Sequence, residues 1–369
     1  MSGPAPVDAG PATRLAGHTW SDLLQSLIDG QDLAADAAAW AMNQIMSGVA
    51  TNAQIAGFLT GLRAKGETAA EIGGLVASML EFALPVRADA DLLAAAVDTC
   101  GTGGDRSHTV NLSSMAAVVV AAAGVPVVKH GNRASSSSCG SADLLEELGV
   151  VIDLPPEGVA KTLTEVGITF CFARSFHPAM RHVAAVRSEL AVPTAFNILG
   201  PLTNPARPGA QSIGVGHAPL APVVAQVLAD RGTRALVFRG DDGLDELSPS
   251  APSTIWAVNA GESRRERFDP RDVGIDVPDR EALRGADARF NAGVARAVFA
   301  GKPGPVRDAV LLAVAAALVA AAGPTAEPVT KQIRAQLDRA AATLDSGAAA
   351  ALLERWVSVS RAAAAGNDD

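Results

Sequence analysis

A loop of glycine and hydroxyl residues holds the first side chains whose spacing suggests chemistry. It contains Gly101–Asp105 and leads through Asn111 and Ser113 into an apolar run of helical character. Glycine exposes backbone N–H groups and a helix N-terminus attracts anions, so the loop is predicted to bind phosphate, with Asn111 or a serine capping the helix. It is no dinucleotide fingerprint, because Arg106 stands at the sixth position, and no P-loop, because no Gly-Lys-Ser/Thr follows. A plain strand-to-helix turn is the alternative.

A second loop combines basic side chains with hydroxyl groups. It runs from Lys129 to Ser141 after the apolar run Val125–Val128, and it contains His130, Arg133 and four consecutive serines. Ammonium, guanidinium, imidazole and hydroxyl groups all donate hydrogen bonds to phosphate oxygens. A solvated basic turn is the alternative. Because α/β proteins bind ligands where strands end, the two loops together predict a bipartite site for a phosphorylated ligand.

A group of carboxylates follows a third apolar run. Asp241–Glu246 comes directly after Ala235–Phe238, and its spacing does not match a calcium EF-hand loop. Such carboxylates are commonly only solvated. Mg²⁺, however, prefers one or two carboxylates together with substrate phosphates and water. A phosphate site elsewhere in the chain therefore makes these residues candidate magnesium ligands.

The elements that must position these groups belong to two segments. From Trp20 to Phe82 apolar residues recur at helical spacing with no strand-like run, which predicts a small all-helical N-terminal domain. From Ala94 short β-like runs alternate with helical ones, which predicts a larger α/β domain with a mostly parallel central sheet flanked by helices. The predicted domains are a disordered tail (1–17), the small helical domain (18–92) and the large α/β domain (93–369).

Composition excludes several classes of function. The net charge of −9 argues against a broad nucleic-acid surface. The three cysteines form no CxxC pair, so neither a zinc site nor a disulfide framework is predicted, in keeping with a reducing, cytoplasmic location. The N-terminus lacks the layout of a signal peptide, and the apolar run Met115–Gly124 is too short to span a bilayer, so no membrane association is expected.

Seven motifs in order resemble those of the anthranilate phosphoribosyltransferase family. They are GTGGD (101–105), NLSS (111–114), KHGNR (129–133), GSADLLEELG (140–149), FHPAM (176–180), NILGPLTNP (197–205) and GLDEL (243–247), and the resemblance extends from about Trp20 to the last helix. It implies transfer of a phosphoribosyl group from 5-phosphoribosyl 1-pyrophosphate to the amine of anthranilate, with two Mg²⁺ ions. It also implies a homodimer joined through the helical domain, to which helices near 180–208 are added.

The resemblance also implies roles for individual residues. The sugar pyrophosphate is expected to contact Gly101, Gly104, Asp105, Thr109, Asn111, Leu112, Ser113, Ser114, Lys129, His130, Gly131, Asn132, Arg133, Ala134, Ser135, Ser136, Ser137 and Ser141. Magnesium is expected at Ser113, Asp245 and Glu246, and anthranilate at Gly101, Asn132 and Arg187. Lys129 is the expected stabiliser of negative charge on the leaving pyrophosphate, and His130 is the expected proton relay.

Two other functions compete with this interpretation. A pyrimidine nucleoside phosphorylase would share the fold and the NILGPLTNP motif, whereas KHGNR, GTGGD and Arg187 favour anthranilate. A non-catalytic, nucleic-acid-binding relative should have a basic surface and altered metal residues, but here Asp245 and Glu246 are both present. Three features depart from the family pattern. Cys139 stands where the family more often has a small hydroxyl residue, Arg174 stands where it often has proline, and Ser107 and His108 lie in a position that varies in the family.

Overall fold

The computed structural model describes residues 17–134 and 138–365. The helices are α1 (Trp20–Ile28), α2 (Ala35–Met46), α3 (Asn52–Lys65), α4 (Ala69–Glu81), α5 (Ala90–Ala95), α6 (Leu112–Ala122), α7 (Ser141–Glu147), α8 (Pro156–Val166), α9 (Ala173–Phe176), α10 (Arg181–Leu190), α11 (Phe196–Leu202), α12 (Ala221–Asp230), α13 (Ala288–Phe299), α14 (Pro305–Ala322), α15 (Val329–Asp345) and α16 (Ala348–Ala365). The strands are β1 (Val97–Gly101), β2 (Val127–Gly131), β3 (Ile168–Phe172), β4 (Ala210–Gly214), β5 (Arg234–Gly240), β6 (Ser253–Asn259) and β7 (Glu262–Phe268). The predicted disordered tail lies almost wholly outside the described residues.

The chain folds into two compact units. The helical unit extends to Phe82 and includes the returning segment Ala179–Ala195, which carries α10. Its helices α3 and α4 both begin with a capping box, and Thr68 with Glu71 forms the second of these. The fully buried Glu71 also accepts hydrogen bonds from Lys65 Nζ, at 3.0 Å, and from Leu33 N, at 2.8 Å. Residues 65–71 therefore have a structural role in this unit.

The α/β unit, Ala83–Pro178 and Phe196 onward, is built around one sheet. Among the described residues its strand order is β3-β2-β1-β4-β5-β6-β7, with parallel pairing from β3 to β5 and antiparallel pairing at β6 and β7. The predicted mostly parallel sheet is confirmed. The apolar pattern does not predict β7, because charged side chains fill most of this exposed edge strand.

Strand β2 extends further than predicted. The sequence predicts that the loop starts at Lys129, but the backbones of residues 129–131 pair with β3 in parallel register, from Lys129 opposite Phe170 to Gly131 opposite Phe172. The apolar pattern did not reveal this, because polar side chains occupy buried strand positions here. The loop that follows β2 therefore begins at Asn132, and the two catalytic candidates lie on a rigid element.

Strand alternation sorts the polar residues of β1 and β2 onto two faces. Thr99 and Lys129 point to the face covered by α6, where Thr99 Oγ1 donates to Ser113 O at 2.9 Å. Asp98 and His130 point to the other face. The two catalytic candidates, Lys129 and His130, therefore lie on opposite faces of the sheet and have different partners.

Helix α14 lies at the centre of the core. It packs on α6, α15 and strands β1, β4 and β5. It is long and apolar enough to cross a membrane, but 67% of the relevant window is buried within the protein. That burial is what a core helix requires. The three cysteines, Cys100, Cys139 and Cys171, are buried as free thiols.

Candidate active site

The loop after β1 and the beginning of α6 differ from the prediction at Asn111. This residue is the N-cap of α6, but its side chain makes no capping hydrogen bond. Its Nδ2 donates to Cys139 O at 3.0 Å and its Oδ1 accepts from Asn291 Nδ2 at 2.9 Å. The predicted N-cap position is confirmed, but its side chain makes no capping bond because both ends of the amide are used elsewhere. The buried hydroxyl of Ser114 has no partner among the described residues.

Two glycines create the space in which Asp245 lies. Gly101 ends β1 and Gly214 ends β4, and the two are paired in the sheet. A Cβ atom on Gly101 would lie 2.2 Å from Asp245 Oδ2, and one on Gly214 would lie 1.6 Å from the backbone oxygen of Asp245. Asp245 Oδ2 accepts the Gly103 N–H at 2.7 Å. The carboxylate segment is thus seated directly on the two strand ends.

Burial and mutual repulsion disfavour the ionised forms of the carboxylates around this point. Burial, together with Asp105 and Glu246, raises the pKa of Asp245 well above its ordinary value. Burial likewise raises the pKa of Glu246 to about 7, against the lowering effects of Lys129 and of a hydrogen bond from the Ser113 N–H. A cation placed here would relieve this cost of burial.

The residues present fit Mg²⁺. They offer hard oxygen atoms from the buried Glu246 carboxylate, the half-buried Asp245 carboxylate and the Ser113 hydroxyl, which are ligands that Mg²⁺ prefers. Among the described residues no group of three or more His, Cys, Asp or Glu side chains forms a metal site by itself. Mg²⁺ ordinarily completes its shell with substrate phosphates and water, so this partial ligand set is the expected one.

Lys129 is held beneath the first loop. Its side chain is 1% exposed, and Nζ donates to Thr99 O at 2.5 Å and to Ser113 Oγ at 3.3 Å. The ammonium therefore orients the hydroxyl of a candidate magnesium ligand and adds a positive charge near Glu246. A buried ammonium of this kind acts strongly on neighbouring charges, because little water screens it.

His130 lies on the opposite face with the NILGPLTNP segment. Its Nδ1 is 2.9 Å from Gly200 O, and since a carbonyl only accepts, the neutral ring carries its proton on Nδ1. Nε2 is then an acceptor, and it has no partner among the described residues. The His177 ring lies 5.2 Å away, centroid to centroid, and donates from Nε2 to Thr203 O.

The same segment also supports the backbone of β2. Asn204 Nδ2 donates to Asp98 Oδ2 at 2.9 Å and to Val128 O at 2.8 Å, and Asp98 Oδ1 accepts the His130 N–H. Burial raises the pKa of Asp98 to about 6, although Lys129 and these hydrogen bonds act against it. The polar residues Asp98 and His130, which interrupt otherwise apolar strands, were the sequence feature that could have indicated this network.

Both imidazoles are expected to remain neutral well below neutral pH. Burial lowers the pKa of His130 to about 3 and that of His177 to about 4, from 6.5. In NMR spectra of isotopically labelled protein, two of the six histidines should therefore keep neutral-imidazole shifts from pH 8 to pH 5. Substitution of each histidine by asparagine assigns the signals. A midpoint near 6.5 for either ring would contradict the burial argument.

The sign of the accompanying stability change follows from these lowered values. As pH falls below 6.5, the unfolded chain binds protons at His130 and His177 that the folded chain does not bind. Their contribution to the free energy of unfolding is therefore complete above pH 6.5. It is lost progressively as pH falls from 6.5 to the folded-state pKa values, about 4 for His177 and about 3 for His130.

The second loop closes on itself through Asp143. Its Oδ2 accepts the N–H groups of Gly140 and Ala134, and its Oδ1 lies 3.1 Å from Arg133 Nη1. Arg133 also pairs with Glu146, so the guanidinium predicted to bind phosphate is engaged with carboxylates in this structure. Ser135, Ser136 and Ser137 lie outside the described residues.

The remaining predicted residues lie at varied depths. Gly104, Asn132 and Ala134 are exposed, Leu112 is buried, and Gly101, Asp105, Thr109, Ser113, Gly131 and Ser141 are half-buried. All described residues of the pyrophosphate and metal sets belong to the α/β unit. Arg187 belongs to α10 of the helical unit, where burial lowers the pKa of its guanidinium. Asp98, Gly214 and Asn291 belong to none of the motifs that predict the site.

Two family models match the chain. The model described as "Glycosyl transferase family, a/b domain" matches residues 93–350. The model described as "Glycosyl transferase family, helical bundle domain" matches residues 21–83. The two matches correspond to the α/β and helical parts of the fold.

Full-length relatives share one name. The anthranilate phosphoribosyltransferase of Frankia alni is 66% identical, with 94% of this chain and 98% of the relative covered. The protein of the same name from an Arthrobacter species is 56% identical, with 95% and 98% covered.

Solved structures agree with these relatives. Anthranilate phosphoribosyltransferase from Thermus thermophilus matches with a TM-score of 0.84 and 41% identity, covering 92% of this chain and 99% of that one. The Saccharomyces cerevisiae enzyme in complex with PRPP and Mg matches with a TM-score of 0.82 and 25% identity, covering 94% and 99%. These similarities extend over both units of the chain.

Proposed function

The chain belongs to the family of anthranilate phosphoribosyltransferases, and from this membership we propose how its own residues carry out the family's reaction. It is an enzyme that transfers the phosphoribosyl group of 5-phosphoribosyl 1-pyrophosphate to the amine of anthranilate. The products are N-(5-phosphoribosyl)anthranilate and pyrophosphate, in the second step of tryptophan biosynthesis from chorismate. The reaction uses Mg²⁺.

We propose that the pyrophosphate donor is held between the two loops of the α/β unit. The observation that carries this proposal is the seating of Asp245 on Gly101 and Gly214, with Glu246 against the Ser113 N–H. It brings carboxylates from beyond residue 240 to the N-terminus of α6, where N–H groups favour phosphate. The unpartnered Ser114 hydroxyl offers one further hydrogen bond at the same helix end.

The chemistry requires stabilisation of a departing anion. The C1–O bond of the sugar breaks, and pyrophosphate leaves with the bonding electrons while C1 becomes cation-like. Lys129, with its ammonium against the Ser113 hydroxyl, would stabilise the negative charge as it develops. Bound Mg²⁺, held by Ser113, Asp245 and Glu246, would neutralise part of the pyrophosphate charge. A site with little water protects C1 from hydrolysis.

The amine side of the reaction requires orientation and a proton acceptor. The anthranilate nitrogen attacks C1 and loses one proton. We propose that Arg187 binds the anthranilate carboxylate, because its planar fork matches two oxygens, with Gly101 and Asn132 as further contacts. His130 would accept a hydrogen bond from the amine through Nε2, since its Nδ1 proton is committed to Gly200. The neutral ring is the form that can take up a proton.

Three broader features are proposed with this site. Two Mg²⁺ ions would be bound, since a pyrophosphate offers oxygen atoms to more than one ion. The protein would be a homodimer joined through its helical unit, where the exposed apolar residues Ile28 and Val49 are available for burial. The location would be the cytoplasm, in keeping with three free, buried thiols.

One assay tests the function and the role of Arg187. Protein, Mg²⁺, phosphoribosyl pyrophosphate and anthranilate are mixed, and the loss of anthranilate fluorescence is followed. Wild type should consume anthranilate, and Arg187→Ala should raise its KM about tenfold or more, because a charge-assisted hydrogen bond is lost. The KM for the pyrophosphate donor should change little.

The competing functions predict other outcomes in the same experiment. No loss of fluorescence, together with phosphorolysis of thymidine or uridine, would overturn the main proposal in favour of a nucleoside phosphorylase. An unchanged KM for anthranilate in Arg187→Ala would remove Arg187 from the substrate site. Arg181→Ala, on the first turn of the same helix, is the matched control.

A further inference from the structure

A buried asparagine far along the chain contacts the first phosphate loop. Asn291 lies in the first turn of α13 and is 2% exposed. Its Nδ2 donates to Asn111 Oδ1 at 2.9 Å, and its Oδ1 accepts the Ala286 N–H at 2.9 Å. Both ends of the amide are therefore satisfied, and its position is fixed by backbone on one side and by Asn111 on the other.

The contact continues from Asn111 into the second loop. Asn111 Nδ2 donates to Cys139 O at 3.0 Å, across 28 residues of sequence. Three consecutive hydrogen bonds thus connect the Ala286 backbone, Asn291, Asn111 and the Cys139 backbone. They connect the two loops that are proposed to hold the pyrophosphate donor.

The segment before α13, which contains Leu283 and Gly285, is hydrogen-bonded to the same part of the first loop. Val110 N donates to Leu283 O, and Gly285 N donates to His108 O at 2.8 Å. A Cβ atom on Gly285 would lie 2.9 Å from Asn291 Oδ1 and 2.9 Å from Thr109 O. The backbone leading into α6 is therefore packed tightly against the segment that precedes Asn291.

This arrangement decides what the Asn111 side chain can do. Asparagine at an N-cap ordinarily accepts hydrogen bonds from the first N–H groups of the helix. Here the Asn111 oxygen is held by Asn291, and no such capping bond exists in α6. The end of α6 at which phosphate is proposed to bind is thus kept clear of a competing acceptor.

We propose that Asn291 is a positioning residue for the pyrophosphate donor. It holds the Asn111 side chain in its hydrogen bond between the two phosphate loops and away from the N-terminus of α6. The proposal rests on the function proposed above. Without Asn291, the Asn111 amide is free to turn and cap α6. It would then compete with phosphate and release Cys139 in the second loop.

The test is a steady-state analysis of Asn291→Ala with both substrates. The KM for phosphoribosyl pyrophosphate should rise about tenfold, the effect of about one hydrogen bond. The kcat and the KM for anthranilate should stay within about twofold, since no group that touches the reacting atoms has changed. Wild type is assayed first, so that failure of the proposed function, seen as no turnover at all, is distinguished from failure of this inference.

Two further variants separate positioning from general stability. Asn291→Asp keeps the acceptor for Ala286 N–H but cannot donate to Asn111, so it should reproduce the rise in KM and serve if the alanine variant does not fold. Asn259→Ala removes an asparagine that likewise bridges two backbone groups, Pro324 O and Ala260 N, on distant β6, and its KM should be unchanged.

A double-mutant cycle supplies the remaining check. If Asn291 acts through Asn111, then Asn291→Ala should add less than about twofold to the KM of Asn111→Ala. An unchanged KM for the pyrophosphate donor in folded Asn291→Ala would overturn the proposal. So would an equal fall in activity with both substrates, or fully multiplicative effects in the cycle.

Discussion

Replacement of Glu246 by glutamine should reduce kcat/KM by about a hundredfold or more, the scale on which loss of one preorganised electrostatic contact slows an enzyme. Glu246 is 8% exposed, accepts a hydrogen bond from the Ser113 N–H and interacts with the charge of Lys129. Glutamine preserves the shape but removes the negative charge that Mg²⁺ requires. The measurement is steady-state turnover across a Mg²⁺ titration.

The magnesium dependence makes this result specific. If the carboxylate is a metal ligand, the variant should need a higher Mg²⁺ concentration for half-maximal activity, while its circular dichroism spectrum and unfolding midpoint remain close to wild type. Glu262→Gln, on the exposed strand β7, is the matched control and should be neutral. Full activity of Glu246→Gln at wild-type Mg²⁺ concentrations would exclude Glu246 from the metal site.

Gly214→Ala should lower kcat/KM by about a hundredfold, although Gly214 carries no chemistry of its own. A Cβ at this position would lie 1.6 Å from the Asp245 backbone oxygen and 3.0 Å from the Glu246 N. The carboxylate segment must therefore move by more than about 1 Å, and a shift of that size in a reacting site can cost about a hundredfold in rate. Turnover and Mg²⁺ affinity should both fall.

A comparison with two other glycines tests this explanation. Gly101→Ala meets chiefly the Asp245 carboxylate oxygen, which can rotate more easily than backbone can move, so its effect should be smaller. Gly293→Ala, on the exposed face of α13, meets no atom within 4 Å and should gain about 0.5–1 kcal/mol of stability without loss of activity. Wild-type activity in Gly214→Ala would show that Asp245 need not occupy its present position.

Periodicity was sufficient to predict most of the fold. The helical segment before residue 83 and the mostly parallel sheet depend on apolar patterns that local sequence records directly. It failed where buried strand residues are polar and where an exposed strand has no apolar face. Lys129 and His130 are strand residues with polar side chains, and β7 is a strand without an apolar face.

The candidate site was predictable in its residue types but not in its internal contacts. Glycine, hydroxyl and carboxylate clusters marked its three parts. The use of the Asn111 amide could not be foreseen, because it depends on Asn291, 180 residues away. Nor could the role of Gly214, which depends on the approach of Asp245 to a neighbouring strand. Contacts across such separations follow from the packed fold and not from local pattern.

The buried thiols have a practical consequence for site-specific labelling. Burial raises the pKa of Cys139 to about 11 and those of Cys100 and Cys171 well above their ordinary value, and these are all the cysteines of the chain. The thiolate is the form that reacts with maleimides, so the native protein should resist modification at neutral pH. Dyes attached at Ala64→Cys and Val277→Cys, two exposed positions in different units, would therefore report the distance between those units by energy transfer, with every native cysteine left in place.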